Sequence, residues 1–294
     1  MTTLGPFLKI GFVGTGVMGN SMAKHLMNAG HTLHIYTRTK SKAEELISAG
    51  AVWMDSVAEL ARECSTIITI VGFPRDVEEV YFGEDGLIEN AAPGSVLIDM
   101  TTTKPSLSKK IFALARERGI DTLDAPVSGG DKGAREGTLS VMVGGDKEVF
   151  EKNVPMFECF AKKVVYQGVA GSGQHTKAAN QIAIASTMMG VCEALTYAQR
   201  EGLDPFTVLS SIESGAAESW TLSNLGPRML KGDYNPGFYV KHFLKDLAIV
   251  LDECGELGFE LPALKLAKTL YQKLSLSGGD DYGTQALFKV YNEE

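Results

Sequence analysis

The sequence predicts an α/β protein in which an N-terminal doubly wound parallel sheet is followed by an all-helical C-terminal domain, and three observations carry that expectation. An apolar, β-leaning run near the start ends in a glycine-rich turn and gives way to a helical pattern. Apolar strand-like runs then alternate with helix-like ones as far as residue 168. From Gly171 onward only helical periodicity and helix punctuation remain. A chain of 294 residues with 44% hydrophobic content can fill two cores. The expected division is therefore residues 1–168 and 169–294.

The first strand is Phe7 to Val13, and it runs directly into Gly14-Thr15-Gly16-Val17-Met18-Gly19, after which Met22, Ala23, Leu26 and Met27 mark a helical face. In a strand–turn–helix unit Gly14 permits the tight turn, Gly16 lets the backbone approach a pyrophosphate, and Gly19 lets helix and strand pack closely. The helix start offers unpaired N–H groups to negative charge. A G-x-G-x-x-G alone is weak evidence, but here it follows a strand, opens a helix and lies near the N-terminus. That context favours a dinucleotide site over a chance glycine turn, with Gly14, Gly16, Val17, Met18 and Gly19 as cofactor-binding candidates.

The second strand, Thr32 to Tyr36, ends in Thr37-Arg38-Thr39-Lys40-Ser41-Lys42, where an NAD-selective site carries an acid for the ribose hydroxyls. No acid is present. Arg38, with the hydroxyls of Thr37 and Thr39, suits a 2′-phosphate, because a guanidinium binds phosphate in two-pronged fashion. NADP is expected in preference to NAD. The plainer alternative is a solvated basic helix start.

Further strands are expected at Thr66 to Val71 and Ser95 to Asp99, with helices at Asp76 to Phe82 and Pro105 to Arg118. Runs this apolar belong in a sheet covered on both faces. Ligands of such sheets bind at the carboxyl ends of the strands, which marks Val71, Gly72 and Thr102 as cofactor contacts; as loop formers these residues would need no ligand. A strand from Ile120 to Leu123 leads into Asp124-Ala125-Pro126-Val127-Ser128-Gly129-Gly130, then a glycine-punctuated segment to Gly137 and a strand from Thr138 to Val143. The Ser128 hydroxyl and the unobstructed N–H groups of Gly129 and Gly130 could cradle a carboxylate. A plain turn explains the glycines equally well.

The stretch Gly171-Ser172-Gly173-Gln174-His175-Thr176-Lys177-Ala178-Ala179-Asn180-Gln181 closes the alternating half and opens the helical one. Ala178, Ile182, Ala185, Met189, Cys192 and Leu195 predict a long buried helix running to Gln199. Lys177, Asn180 and Gln181 share one face near its start, where a cation and two amides could grip a small oxygenated ligand. Taken alone, the Lys-x-x-Asn spacing is better read as a solvated helix start. Helices follow from Asp204-Pro205 to Ser214, Ser219 to Leu230, Lys241 to Leu257, Ala263 to Leu274 and Tyr282 to Tyr291. Lys245 and Asp246 fall within one of them, where a salt-bridged surface is the plain explanation.

The formal net charge of -8 and pI near 5.3 argue against binding nucleic acid or an anionic membrane. No stretch approaches the ~20 apolar residues that cross a bilayer, and the first residues do not read as a signal peptide. Cys64, Cys159, Cys192 and Cys254 lack metal-ligand spacing, so neither zinc nor disulfides are expected, and a cytoplasmic location is.

With the glycine turn, Asp124 to Gly130, Gly171 to Asn180, and Phe238 to Lys245-Asp246-Leu247 in order along the whole chain, the sequence resembles the β-hydroxyacid dehydrogenases. The family includes 3-hydroxyisobutyrate dehydrogenase and tartronate semialdehyde reductase. The resemblance implies a Rossmann domain holding NAD or NADP and a helical domain that closes the substrate cleft and forms the oligomer, a homodimer or homotetramer. It implies Lys177 as the catalytic lysine, Ser128, Gly129 and Gly130 on a substrate carboxylate, Asn180, Gln181 and Phe238 on the substrate, and Lys245 beside the nicotinamide.

Some positions depart from the commonest pattern. Gln181 stands where many members have a second Asn, although Lys-x-x-Asn-Gln is similar to the tartronate semialdehyde reductase version. Thr37 replaces a frequent Asn, and His25 replaces an Asn in the first helix. A 6-phosphogluconate dehydrogenase would want His in place of Asn180 and a longer helical domain, and imine reductases lack the lysine. The implied chemistry is reversible hydride transfer between the nicotinamide and the carbinol carbon of a small β-hydroxyacid, with Lys177 moving the proton. The competing expectation is an NADP-binding oligomerisation module without catalysis.

Overall fold

The computed structural model describes residues 7–292, which fall into two compact units dividing between Lys177 and Ala178. The first is built on a nine-stranded sheet. In chain order its elements are β1 (Lys9–Val13), α1 (Val17–Asn28), β2 (Thr32–Tyr36), α2 (Glu44–Ser48), β3 (Val52–Trp53), α3 (Val57–Glu63), β4 (Thr66–Thr69), α4 (Pro74–Phe82), α5 (Leu87–Asn90), β5 (Val96–Asp99), α6 (Pro105–Glu117), β6 (Asp121–Asp124), β7 (Val127–Ser128), α7 (Gly130–Glu136), β8 (Leu139–Gly145), α8 (Lys147–Phe157) and β9 (Ala161–Gly168). The sheet order is β3-β2-β1-β4-β5-β6-β8-β7, with β9 on β8. Strands β1 to β6 are parallel, β8 runs antiparallel to β6 and β7, and β9 is parallel to β8. The order reverses between β1 and β4, the switch point at which doubly wound sheets open a ligand crevice.

The period of two in each strand divides the core between the faces of this sheet. Ile10, Phe12, Ile68 and Ile98 enter one apolar cluster with α1 residues Met22, Ala23 and Leu26. Val13, Ile67 and Leu97 enter the other with Leu60, Val77 and Ile111 of the helices opposite. Gly11 serves the second face, where a Cβ would lie 2.5 Å from Leu60 Cδ2. A side chain there would have to displace the Leu60 side chain, with Cys64 Cβ and Ile67 Cγ1 each 3.2 Å away.

Helix α9 (Ser172–Arg200) begins in the first unit and continues into the second, whose further helices are α10 (Pro205–Ile212), α11 (Trp220–Leu230), α12 (Val240–Leu257), α13 (Pro262–Leu274) and α14 (Leu287–Asn292). Met188, Cys192 and Leu195 pack with Leu225, Phe243, Leu247 and Tyr271 in a single core. Asp204 caps α10 through the Phe206 and Thr207 N–H groups, and Ser219 caps α11 through Leu222 N–H.

The last helix starts at Leu287 rather than Tyr282. Gly283 forms a bridge with Tyr239 and donates its N–H to Tyr234 O, and Thr284 donates to Phe238 O, so the residues before Leu287 are spent on backbone pairing and a 3-10 turn. The segment 130–137, read as glycine punctuation, contains α7. Strands β3, β7 and β9 and helices α2, α3, α5 and α8 were not distinguished by periodicity.

Candidate active site

The glycine turn after β1 has the geometry that a pyrophosphate requires. Gly14 has φ +100°, and a Cβ on it would lie 2.1 Å from Ile70 O. A Cβ on Gly19 would lie 2.0 Å from Gly14 O, so this glycine lets α1 close on the turn. Gly16 is the N-cap of α1, and a Cβ there would enter open space, leaving its backbone approachable. Val17 and Met18 open the helix, whose first turn carries no acid and no side-chain cap. The turn therefore fits a dinucleotide phosphate by shape, conformation and dipole.

At the end of β2, Arg38 Nη1 donates to Asp76 Oδ1 at 3.0 Å. The arginine side chain is 70% exposed and the aspartate 6%. Asp76 Oδ2 also accepts from Phe73 N–H at 3.0 Å, so one carboxylate caps α4 and holds Arg38. The sequence next to Arg38 contains no acid, but the fold brings one from the start of α4. Thr37 and Thr39 flank Arg38, half-buried and exposed respectively. Lys40 stands over the Trp53 ring, 5.0 Å from its centroid.

The loops after β4 and β5 are joined to each other. Val71 N–H donates to Thr101 Oγ1 at 2.9 Å, and Thr101 N–H donates to Asp99 Oδ1 at 3.0 Å. Thr69 Oγ1 donates to the same Asp99 oxygen at 2.9 Å. Burial lifts the Asp99 carboxyl to about 6, against the pull of these donors. Thr101 and Thr103 are buried, whereas Thr102 between them, with Val71 and Gly72 opposite, is only half-buried.

Asp124, at the carboxyl end of β6, ties the start of α9 to the sheet. Its Oδ1 accepts from Gly171 N–H at 2.7 Å and its Oδ2 from Gln174 N–H at 3.0 Å. Burial raises this carboxyl too, to about 6, and the backbone donors oppose the rise. The approach is close because two glycines face the carboxylate. A Cβ on Gly144 would lie 2.6 Å from Asp124 Oδ1, and one on Gly173 would lie 2.8 Å from Asp124 Oδ2.

Gln174 completes the attachment. Its Oε1 accepts from Thr103 N–H at 3.0 Å and its Nε2 donates to Thr101 O at 2.8 Å. The side chain, 2% exposed, thus clamps α9 to the loop after β5. Thr176 donates to Ser172 O and Gln167 Oε1. Both side chains are committed to holding the start of the helix in place. Lys177, 7% exposed, follows Gln174 by three residues on the same helix. Ser128 pairs with Ser140 across β7 and β8 and is half-buried. Gly129 (φ +131°) caps α7, and Gly130 (φ +62°) faces open space. Only glycine adopts both conformations without strain.

The remaining candidates belong to the second unit. Asn180 Nδ2 donates to Gln181 Oε1 at 2.8 Å, and Gln181 Nε2 donates to Asp246 Oδ2 at 2.6 Å. Lys245 Nζ lies 2.8 Å from Asp246 Oδ1, an ion pair without the alignment of a hydrogen bond. Phe238 packs edge-on against Phe243, centroids 5.8 Å apart, and is half-buried. Asp246, for which a salt-bridged surface was the plain expectation, is 2% exposed and joins Gln181 to Lys245 in the interior of its unit.

Among the described residues no cluster of metal-ligating side chains occurs, and no helix is long and apolar enough to cross a membrane. The four cysteines are unpaired.

Residues 9–168 match the family model for the NAD-binding domain of 6-phosphogluconate dehydrogenase, and residues 171–291 match the NAD-binding domain of NADP-dependent 3-hydroxyisobutyrate dehydrogenase. An uncharacterised oxidoreductase, YkwC, of Bacillus subtilis is 58% identical over 96% of this chain and 98% of its own length. The 2-hydroxy-3-oxopropionate reductase of Escherichia coli is 40% identical over 96% of this chain and 97% of its own. A solved structure of Mycobacterium tuberculosis 3-hydroxyisobutyrate dehydrogenase with L-serine superposes with a TM-score of 0.89 at 28% identity, covering 98% of this chain and 100% of that one. All three carry the names of oxidoreductases, which gives no support to a binding module without catalysis.

Proposed function

Because the chain belongs to the β-hydroxyacid dehydrogenase family, NAD(P)-dependent oxidoreductases, we propose that it interconverts a short β-hydroxyacid and its semialdehyde acid with NADP(H). The observation that carries the reading is Lys177, buried on a helix start that Asp124 and Gln174 fasten to the carboxyl ends of β5 and β6. That edge of a doubly wound sheet is where its ligands bind.

Gly14, Gly16, Val17, Met18 and Gly19 hold the pyrophosphate, and Val71, Gly72 and Thr102 line the cofactor's path along the strand ends. Bound nicotinamide supplies the hydride for reduction and accepts it in oxidation. Arg38, between Thr37 and Thr39, meets the 2′-phosphate, which is the basis for preferring NADP over NAD. Ser128, Gly129 and Gly130 take the substrate carboxylate on a hydroxyl and two N–H groups. Fixing that end turns the reacting carbon toward the cofactor, and such positioning is a large part of what an enzyme of this kind contributes. Lys177 gives its proton to the carbonyl oxygen as reduction proceeds and recovers it from the hydroxyl in the reverse direction. Asn180 and Phe238 contact the substrate, and Lys245 adds positive charge near the nicotinamide.

Among substrates we rank 2-hydroxy-3-oxopropionate, tartronate semialdehyde, above methylmalonate semialdehyde. The Lys-x-x-Asn-Gln pattern and the likeness to the Escherichia coli reductase support that order. The reading extends to a cytoplasmic homo-oligomer: unpaired thiols suit a reducing compartment, and exposed Tyr197, Leu203, Phe206 and Trp220 give the region from residue 169 onward apolar surface for association. The test follows NADPH absorbance with a panel of semialdehyde acids beside their methyl esters. Acids are expected to be reduced at least ~10-fold more efficiently, the loss expected when one charge-assisted carboxylate bond is missing. Equal rates with the esters would show that no carboxylate is read.

A further inference from the structure

We infer that Gln181 is a positioning residue, which fixes the amide of Asn180 and, through Asp246, the ammonium of Lys245. The inference rests on the reading above, in which Asn180 and Lys245 serve substrate and cofactor. It departs from the expectation that Gln181 touches substrate, since this side chain is 1% exposed and its two polar ends are taken by Asn180 and Asp246.

The polarity of the chain of contacts is fixed by its charged end. An ionised Asp246 only accepts, so Gln181 must turn Nε2 toward it, at 2.6 Å. Oε1 then faces Asn180, and Asn180 must answer with Nδ2, at 2.8 Å. The amide of Asn180 is therefore held in one of its two flip states, with its carbonyl edge turned away from Gln181. At the other end Asp246 Oδ1 holds Lys245 Nζ at 2.8 Å. The lysine side chain is 12% exposed and the aspartate 2%, so water screens this pair poorly. Residues 65 positions apart, on α9 and α12, thereby share one donor–acceptor register. Gln is required by length as well as polarity, because Asn at 181 would be one methylene too short to span from Asn180 to Asp246.

The test moves the charge within the chain. Gln181→Glu sets two carboxylates face to face, and Asp246→Asn leaves an amide where the acceptor stood. In the double variant the new amide at position 246 can donate to the new carboxylate at position 181, whose other oxygen still accepts from Asn180. Each single variant is expected to lose at least ~10-fold in kcat/KM for the acid, with the loss divided between kcat and KM. The double variant should recover at least ~5-fold over the better single one, the signature of a direct pair. A double variant as impaired as the product of the singles overturns the inference. Should Gln181→Glu fail to fold, Gln181→Met keeps the length without either polar end; the same loss supports the inference, and near-normal kcat/KM overturns it.

A second arm needs no substrate: acetylation of Lys245 by limiting acetic anhydride, read by mass spectrometry. Labelling should rise several-fold in Asp246→Asn and fall back in the double variant. Equal labelling in wild type, Asp246→Asn and the double variant would overturn the coupling. If the wild type reduces none of the acids, the proposed activity fails and this arm still decides the role of Gln181.

Discussion

The Asp124 carboxylate accepts the Gly171 N–H at 2.7 Å, and through that bond a residue at the end of β6 caps the helix that carries Lys177. A carboxylate at a helix N-terminus meets both the unpaired donors and the positive end of the dipole. Asp124→Ala would leave the Gly171 and Gln174 N–H groups buried and unpaired, at a cost of about 2–4 kcal/mol. Asp124→Asn keeps one accepting oxygen and should fall between. Calorimetry or denaturant titration checks the order, and an alanine variant within about 0.5 kcal/mol of wild type would mean that the cap contributes nothing.

Lys177→Ala should leave NADPH binding intact and reduce turnover by at least ~10²-fold, the lower end of what a positioned acid or base contributes. Stopped-flow mixing at saturating substrate separates the chemical step from binding. Near-normal turnover would remove Lys177 as the proton donor.

Arg38→Ala should weaken NADP binding by about 1.5–3 kcal/mol, the worth of a charged hydrogen bond to phosphate, and leave NAD binding nearly unchanged. Asp76 already engages one edge of this guanidinium, so Asp76→Ala should weaken NADP binding less than Arg38→Ala does, by releasing a side chain now held in place. Titration calorimetry with both cofactors tests the pair. Equal losses for NADP and NAD in Arg38→Ala would contradict recognition of the 2′-phosphate.

Burial raises Asp99 from 3.8 to about 6, so the folded state holds this proton more tightly than the unfolded chain. The stability it contributes is complete below about pH 3.8 and is lost as pH rises through 6. Asp99→Asn, neutral throughout, should therefore gain in melting temperature relative to wild type between pH 4 and 7, by the equivalent of roughly 3 kcal/mol at most. A difference that stays flat over that range would show that burial does not control this carboxyl.

The sheet and the dinucleotide turn were legible because their signals are local. Val13 into Gly14 and Gly19 into Met22 follow from strand period, glycine conformation and helix period within a few residues. Asp76 was not legible as the partner of Arg38, since nothing near residue 38 announces an acid that arrives with α4. Gln174 and Gln181 were visible as polar residues on a helix, but their partners, Thr101, Thr103 and Asp246, are set by how distant elements dock. The short strands β3 and β7 carry too few residues to show a period, and Gly283 reads as a breaker whether it starts a helix or bridges to Tyr239.

The sheet ends in β3 on one side and β9 on the other, and this bears on how the chain behaves while it folds in company. Parallel strands pair over long sequence separations, so such sheets assemble late and present unpaired rims to neighbouring chains. Here one rim is two residues long, Val52–Trp53, and the other bears the adjacent exposed lysines Lys162 and Lys163. Short rims and paired lysines are what discourage strand-by-strand accretion. A crowded solution of half-folded copies would find little backbone to pair with at one rim and mutual repulsion at the other.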